Sequence, residues 1–175
     1  MNFILKVLKS IKIVFLYCYK LFWVNYNKLI VASHEGDIFI GGITKLSSQT
    51  YLKRHVNFNG LKVYGVGKVF IGSYFHSGTE CMIISSTHNY DEGKSIPYDS
   101  TEIVKNVIIE DFVWLGNRVT ILPGVRIGEG SIIQAGSVIV TDIPRYAIAG
   151  GAPAKVFKKR NIEHFEKLKV EKKFC

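Results

Sequence analysis

The chain has 175 residues, 47% of them apolar, with 23 basic and 14 acidic side chains and a formal net charge of +9. That length fits one domain with appendages and enough apolar side chain to fill a core. The charge is uneven: residues 1–34 carry +5, residues 155–175 carry +5 and the stretch between them carries −1, so the fold itself lacks the basic stripe of a nucleic-acid binder.

Residues 1–34 read as an apolar and basic helical segment. Lys6, Lys9 and Lys12 interrupt the apolar run at helical spacing, and Lys20 and Lys28 follow. No uncharged run is longer than Ile13–Tyr19, which residues 21–27 equal, far short of the roughly 20 residues of a spanning helix, and no small-residue cleavage site follows. Two readings stand. The segment is an amphipathic helix on an anionic inner membrane, with Tyr17, Tyr19, Trp23 and Tyr26 at the interface, or it packs on the side or end of the fold and covers an open edge. One face can pack while another meets lipid. Three cysteines, Cys18, Cys81 and Cys175, stand at no paired spacing. Neither a disulfide framework nor a zinc motif is indicated, and a reducing cytoplasm fits.

Residues 35–154 form the body. From His34 to Gly60 the pattern is weak, with 37–43 as a first irregular face and 51–58 as another. It becomes legible at Gly65, with Ile71, Ser77 and Ile83 in phase. Over 103–144 it is strict. Ile103, Ile109, Leu115, Ile121, Ile127, Ile133 and Ile139 recur every six residues, and Val107, Val113, Val119, Val125, Ser131, Ser137 and Ile143 follow each by four. A six-residue period is one short strand and one turn. Three such faces, about 18 residues, close one coil of a parallel β-helix, with the aliphatic residues stacked inside. Ile83 to Ile103 is 20 residues, which breaks the period. Residues 89–102, polar and holding Gly and Pro, read as a loop insertion thrown out from a corner, with His88 at its base.

This repeat resembles that of the hexapeptide-repeat acyltransferases, most closely over 103–158 and in outline over about residues 60–160. The resemblance implies an all-β, left-handed parallel β-helix with an amino-terminal amphipathic helical segment. The handedness comes from the family, because parallel crossovers are otherwise right-handed. The 155–175 segment is expected as a basic tail with a short carboxy-terminal helix, capped by Asn161 and striped by Ile162, Phe165 and Leu168.

The resemblance also implies a chemistry. The position of His88, before the loop, matches the catalytic histidine of the galactoside and maltose acetyltransferase branch. The wording Thr87-His88-Asn89-Tyr90-Asp91 looks like the branch that acetylates capsule, lipopolysaccharide and exopolysaccharide sugars. A sugar hydroxyl is un-ionised at neutral pH, and acetyl-CoA already carries an activated acyl group, so the missing part is a base. A free imidazole, titrating at about 6.5, suits that task and can hand the proton to the leaving thiolate. Asp91 or Glu80 is a candidate to orient it.

Asn57 and Asn59 resemble an Asn-Phe-Asn segment that holds the sugar in the galactoside branch, with a register to Ile71 one residue longer, so either, or neither, inherits that role; Asp91 and Trp114 are the further candidates to face the acceptor. By the same resemblance Trp114, Asn117, Ala135, Gly136, Gly151, Pro153, Lys155 and Lys158 hold acetyl-CoA, the lysines near its phosphates. A homotrimer with active sites between adjacent prisms follows. The metal-dependent β-helical carbonic anhydrases use three histidines. Here His76 and His88 stand 12 apart with no third until His164, so no metal is expected. The expected activity is O-acetylation of a cell-surface polysaccharide sugar or its precursor, in the cytoplasm and peripheral to the inner face of the membrane. The alternatives are a small soluble sugar, amino sugar or antibiotic as acceptor, or a non-catalytic β-helical scaffold.

Overall fold

A computed structural model gives the fold and describes residues 2–174. The chain from Ser33 onward winds into a parallel solenoid with three faces. The first face stacks Ser33–His34, Thr50–Leu52, Val69–Ile71, Val107–Ile109 and Arg126–Ile127, with Ile143 bridged to Ile127 as its last rung. The second stacks Ile38–Ile40, Val56–Phe58, His76–Ser77, Trp114–Leu115, Ile132–Ile133 and Ala147–Gly151. The third stacks Leu61–Tyr64, Cys81–Ile84, Thr120–Ile121 and Val138–Ile139, beginning from a bridge between Lys45 and Lys62.

The six-residue period is the cause. Each strand is two to four residues long over most of the solenoid, so side chains alternate in and out within one rung. Ile71, Ile109 and Ile127 lie in register on the first face, Ser77, Leu115, Ile133 and Ala149 on the second, Ile83, Ile121 and Ile139 on the third. All are buried. Each fully buried isoleucine contributes about 1.5–3 kcal/mol. The residues four further on, Val107 through Ile143, are buried as well, because they open the next face.

Corners leave backbone N–H groups that the parallel ladder does not pair. Short side-chain acceptors take them: Asn106 Oδ1 accepts from Lys68, Asp111 Oδ1 from Ser73, Asn117 Oδ1 from Thr79 and Asp142 Oδ1 from Arg126, at 2.7 to 3.0 Å. Pairing of buried and half-buried backbone groups is a requirement, and Asn and Asp meet it locally.

One segment leaves the solenoid. Ser86–His88 pairs antiparallel with Glu102–Val104, so residues 86–104 form a hairpin projecting from the corner between the third and first faces. Ile103 is therefore not the first core residue of the strict repeat. It sits opposite Thr87 in the hairpin arm, and the coil resumes at Val107. Six residues do separate it from Ile109, but the returning arm supplies that spacing.

The carboxy-terminal boundary also moves. Residues 155–159, expected as tail, belong to a strand, Ala154–Lys159, that pairs antiparallel with Ala147–Gly151. Helix α2 (Ile162–Val170) follows, capped by Asn161, whose Oδ1 accepts from the His164 N–H at 2.9 Å. Of its expected stripe Phe165 is buried, whereas Ile162 is 40% exposed. Phe165 meets Phe112 and Tyr146 edge-on, and Phe174 joins from beyond the helix against Tyr74 and Phe112.

Helix α1 (Asn2–Ile30) precedes the solenoid. Only its last turns dock, through Trp23, Val24 and Asn27, with Val31 just beyond. Asn27 is fully buried. Its Nδ2 donates to Thr44 O at 2.9 Å and Trp23 O at 2.8 Å, and its Oδ1 accepts from Leu46 N–H at 3.0 Å. One amide thus satisfies both a donor and an acceptor at the open end of the first coil, where no earlier rung exists to pair them.

Candidate active site

His88 ends the outgoing arm of the hairpin, exposed and in register with Glu102. Its imidazole lies on the ring of Tyr98, from the far side of the loop. The loop holds its own shape. Asp99 accepts from Lys94 N–H, Thr101 N–H and the Thr101 hydroxyl, and Asn89 accepts from Glu92 N–H and donates to Thr101. These bonds to the charged carboxylate hold the Asp99 carboxyl below the usual range, the Thr101 hydroxyl first among them. Tyr98 was not singled out in the sequence. Its signal was weak: it is one of two tyrosines in the loop, and only closure of the loop puts it on His88.

The two expected orienting partners are placed elsewhere or left free. Glu80 receives Arg118 Nε at 2.6 Å, so its carboxylate is committed across the corner. Asp91 is exposed in the loop and, among the described residues, makes no hydrogen bond or ion pair.

Trp114 lies on the second face, 55% exposed. Below it in register come His76 and then Asn57, and above it Ile132. Asn57 is half-buried on this outward row. Trp114 and His76 line a cavity of about 360 Å³ closed on one side by Phe165, Leu168 and Phe174. Arg160 forms part of that wall; its guanidinium lies over the Phe165 ring and donates to Gly130 O at 2.9 Å. Burial lowers its pKa from the ordinary value.

The coenzyme residues expected from the sequence fall largely on one corner, between the second and third faces. Gly78, Gly116, Ala135–Gly136 and Gly150–Gly151 succeed one another along it, joined by Gly116 N–H to Ile133 O, Gln134 N–H to Ala149 O and Gly136 N–H to Asn117 O. The column must be small. A Cβ on Gly116 would stand 2.6 Å from Ala135 N, and one on Gly78 would stand 2.3 Å from Asn117 Oδ1. At Gly136, with φ +74°, the space where a side chain would be is open to 4 Å. The result is a column of Gly and Ala backbone, with the Asn117 side chain lying against Gly78 and the Gln134 side chain against Gly150. Lys155 and Lys158 are exposed on the last strand, opposite Gly150 and Ile148, with Pro153 in the turn before them.

Two expected residues have structural work at this corner. Asn117 spends its carbonyl oxygen on Thr79, and Asn59 Nδ2 donates to Ser77 O at 3.0 Å. Cys81 is buried here, Sγ donating to Gly116 O at 3.1 Å. Burial pushes its thiol pKa up against the backbone hydrogen bonds, which makes it an unreactive filler rather than a nucleophile.

His88 and Trp114 are not brought together within one chain. The hairpin rises from the corner between third and first faces, and Trp114 lies on the second face, which is the side opposite that corner. Among the described residues no group of three His, Cys, Asp or Glu side chains is arranged to hold a metal ion.

A parallel solenoid with a six-residue inward period and a small-residue corner is a hexapeptide β-helix. Residues 106–141 match the family described as bacterial transferase hexapeptide (six repeats), so this stretch of the chain carries that family's repeat. It is 37% identical over 112 residues to a galactoside O-acetyltransferase of Lactococcus lactis, covering 64% of this chain and 53% of that one. It is 32% identical over 135 residues to the candidate lipopolysaccharide-biosynthesis O-acetyl transferase WbbJ of Escherichia coli K12, covering 73% and 66%. Its fold superposes on a galactoside acetyltransferase in complex with coenzyme A with a TM-score of 0.63 at 23% identity, over 79% of this chain and 70% of that one. The chain spans about half the length of the curated relatives it matches.

Proposed function

We propose that this chain is an acetyl-CoA-dependent O-acetyltransferase that acts on a hydroxyl of a cell-surface polysaccharide sugar or its precursor. The observation that carries the reading is His88: an exposed imidazole at the mouth of the hairpin that leaves the solenoid, held by a stacked tyrosine and an internally bonded loop. His88 accepts the sugar hydroxyl proton as the oxygen bonds to the acetyl carbon, and it returns that proton to the thiolate as the C–S bond breaks. The products are an O-acetyl sugar and CoA, with no acyl-enzyme. The corner column from Gly116 to Gly151 suits a pantetheine arm, because Gly116, Ala135, Gly136 and Gly151 present almost no side chain of their own. Lys155 and Lys158 stand beyond it to meet phosphates.

The opposite placement of His88 and Trp114 supports a homotrimer, because a neighbouring prism is needed to set one against the other. Closed threefold symmetry then gives three equivalent clefts. Likeness to WbbJ, over most of this chain, favours a surface-polysaccharide acceptor. Likeness to the galactoside enzyme keeps a small soluble sugar as the second reading. The reading includes catalysis on the cytoplasmic side, peripheral to the inner face of the membrane, and the five lysines of helix α1 support the membrane contact.

Titration calorimetry with acetyl-CoA and with CoA, reported per subunit, tests this. One saturable site per chain supports the transferase, and acetyl transfer to a glycan that is lost in His88→Ala establishes it. A folded protein that binds neither leaves a β-helical scaffold.

A further inference from the structure

Helix α1 extends away from its docking point. At 1.5 Å per residue its 29 residues run about 43 Å, and only the last two turns touch the solenoid. The rest exposes large apolar side chains: Ile13 and Phe15 are each 67% exposed. No helix among the described residues is long and apolar enough to cross a membrane.

The two sides of the helix differ. Lys6, Lys20 and Asn27 are separated by multiples of seven residues, two helical turns each, so they share one side. Asn27 fixes that side as the one facing the first coil. Leu8, Ile11, Phe15, Cys18, Phe22 and Leu29 recur at steps of three, four and seven residues and form a ridge on the opposite side. The lysines therefore point toward the protein's side of the helix and the ridge points away from it.

We infer that α1 lies flat in the headgroup layer of an anionic membrane, ridge down, with the solenoid standing above it on its first coil. Three observations choose lipid over a second copy of the helix. A coiled-coil seam is a narrow stripe, whereas exposed Val7, Val14 and Leu21 widen the ridge on one flank. The helix carries five lysines and no acid, so a copy brings only like charge, while anionic headgroups bring the counter-charge. Phe22 and Tyr26, both exposed beside the docked Trp23, stack on each other, an aromatic pair of the kind found at membrane–water boundaries. The contact does not depend on catalysis.

The test is sedimentation of the full chain with vesicles of phosphatidylcholine alone and of phosphatidylcholine with an equal part of phosphatidylglycerol. The wild type should pellet with the mixed vesicles and be released by high salt. Lys6→Gln with Lys20→Gln should weaken that partition by about fivefold for each lysine. Phe15→Ser with Phe22→Ser, both exposed, should abolish it while the far-ultraviolet circular dichroism stays unchanged. Wild type that remains in the supernatant overturns the inference, as does partition that neither double variant changes. A drop in oligomeric mass in the phenylalanine variant without vesicle binding by the wild type assigns the ridge to a second copy instead. CoA titration of the same samples reads the transferase proposal separately.

Discussion

The ring of Tyr98 lies flat on the imidazole of His88, centroids 3.8 Å apart and planes 8° from parallel. A stacked ring fixes the imidazole plane but leaves both ring nitrogens at the edge, where the proposed reaction needs them. Packing here does what a carboxylate does in a charge-paired histidine. It orients the ring without adding charge.

From this pair the first prediction follows. His88→Ala should lower kcat by about 10²–10⁴-fold, the usual weight of a positioned general base, with CoA affinity unchanged. Tyr98→Phe should retain most activity, because the stack needs only the ring. Tyr98→Ala should lower kcat about tenfold, the order expected when a catalytic group loses its orientation, and leave KM for CoA alone. The His88 ring protons should also lose their ring-current shift in proton NMR in Tyr98→Ala and keep it in Tyr98→Phe. A tyrosine that only stiffened the loop would leave that shift in place when removed.

Most of the solenoid was legible because a six-residue period leaves little choice. Ile109, Leu115, Ile121, Ile127, Ile133 and Ile139 are all buried where that period puts them. Ile103 misled because hairpin arm and coil happen to share a spacing, and hydrogen-bond direction is not written in composition. The corner track was readable from its small residues. The Tyr98 stack and the Asn27 clamp were not, since each depends on two segments meeting that are remote or loosely patterned in sequence. Asn59 and Asn117 carry a structural task that their type alone did not announce: corners of this fold use Asn and Asp as backbone acceptors and donors.

Asn27 should be the least replaceable polar residue outside the active site. Asn27→Ala leaves Thr44 O and Leu46 N–H buried without partners, at a cost of about 2–5 kcal/mol. Asn27→Asp should cost a similar amount, since a carboxylate accepts from Leu46 but cannot donate to Thr44 O. Urea unfolding followed by circular dichroism and by Trp23 fluorescence reads both. A midpoint within error of the wild type for Asn27→Ala would show that water takes over the two groups.

Acid should loosen the corner between the first and second faces. Burial pushes the Glu110 carboxyl up, but the Glu129 N–H bond and the Arg126 guanidinium outweigh it and the net pKa lies below the ordinary 4.5. A carboxylate lowered in the fold stabilises it fully above its unfolded value and ceases to do so as pH falls through the folded one. Melting temperatures taken between about pH 3 and pH 7 should therefore drop below pH 4.5 more steeply in the wild type than in Glu110→Gln. At pH 7 the variant should be the less stable of the two. Parallel curves would place the acid sensitivity elsewhere, with Glu129, which pairs with Arg145 and Lys169, as the next group to replace.

In the proposed acetyltransferase, Lys155 and Lys158 set where the coenzyme phosphates sit. Both project from the last strand, past the open end of the small-residue track, and neither pairs with an acid among the described residues. An exposed lysine facing a phosphate is worth about 1 kcal/mol, so each Lys→Gln change should raise the Kd for CoA about fivefold, and the effect should shrink as salt rises. Pantetheine, which lacks the nucleotide phosphates, should bind wild type and variants alike. If CoA and pantetheine both bind the double variant as tightly as the wild type, the phosphates lie off this strand. If both weaken together, the strand shapes the track rather than supplying charge to it.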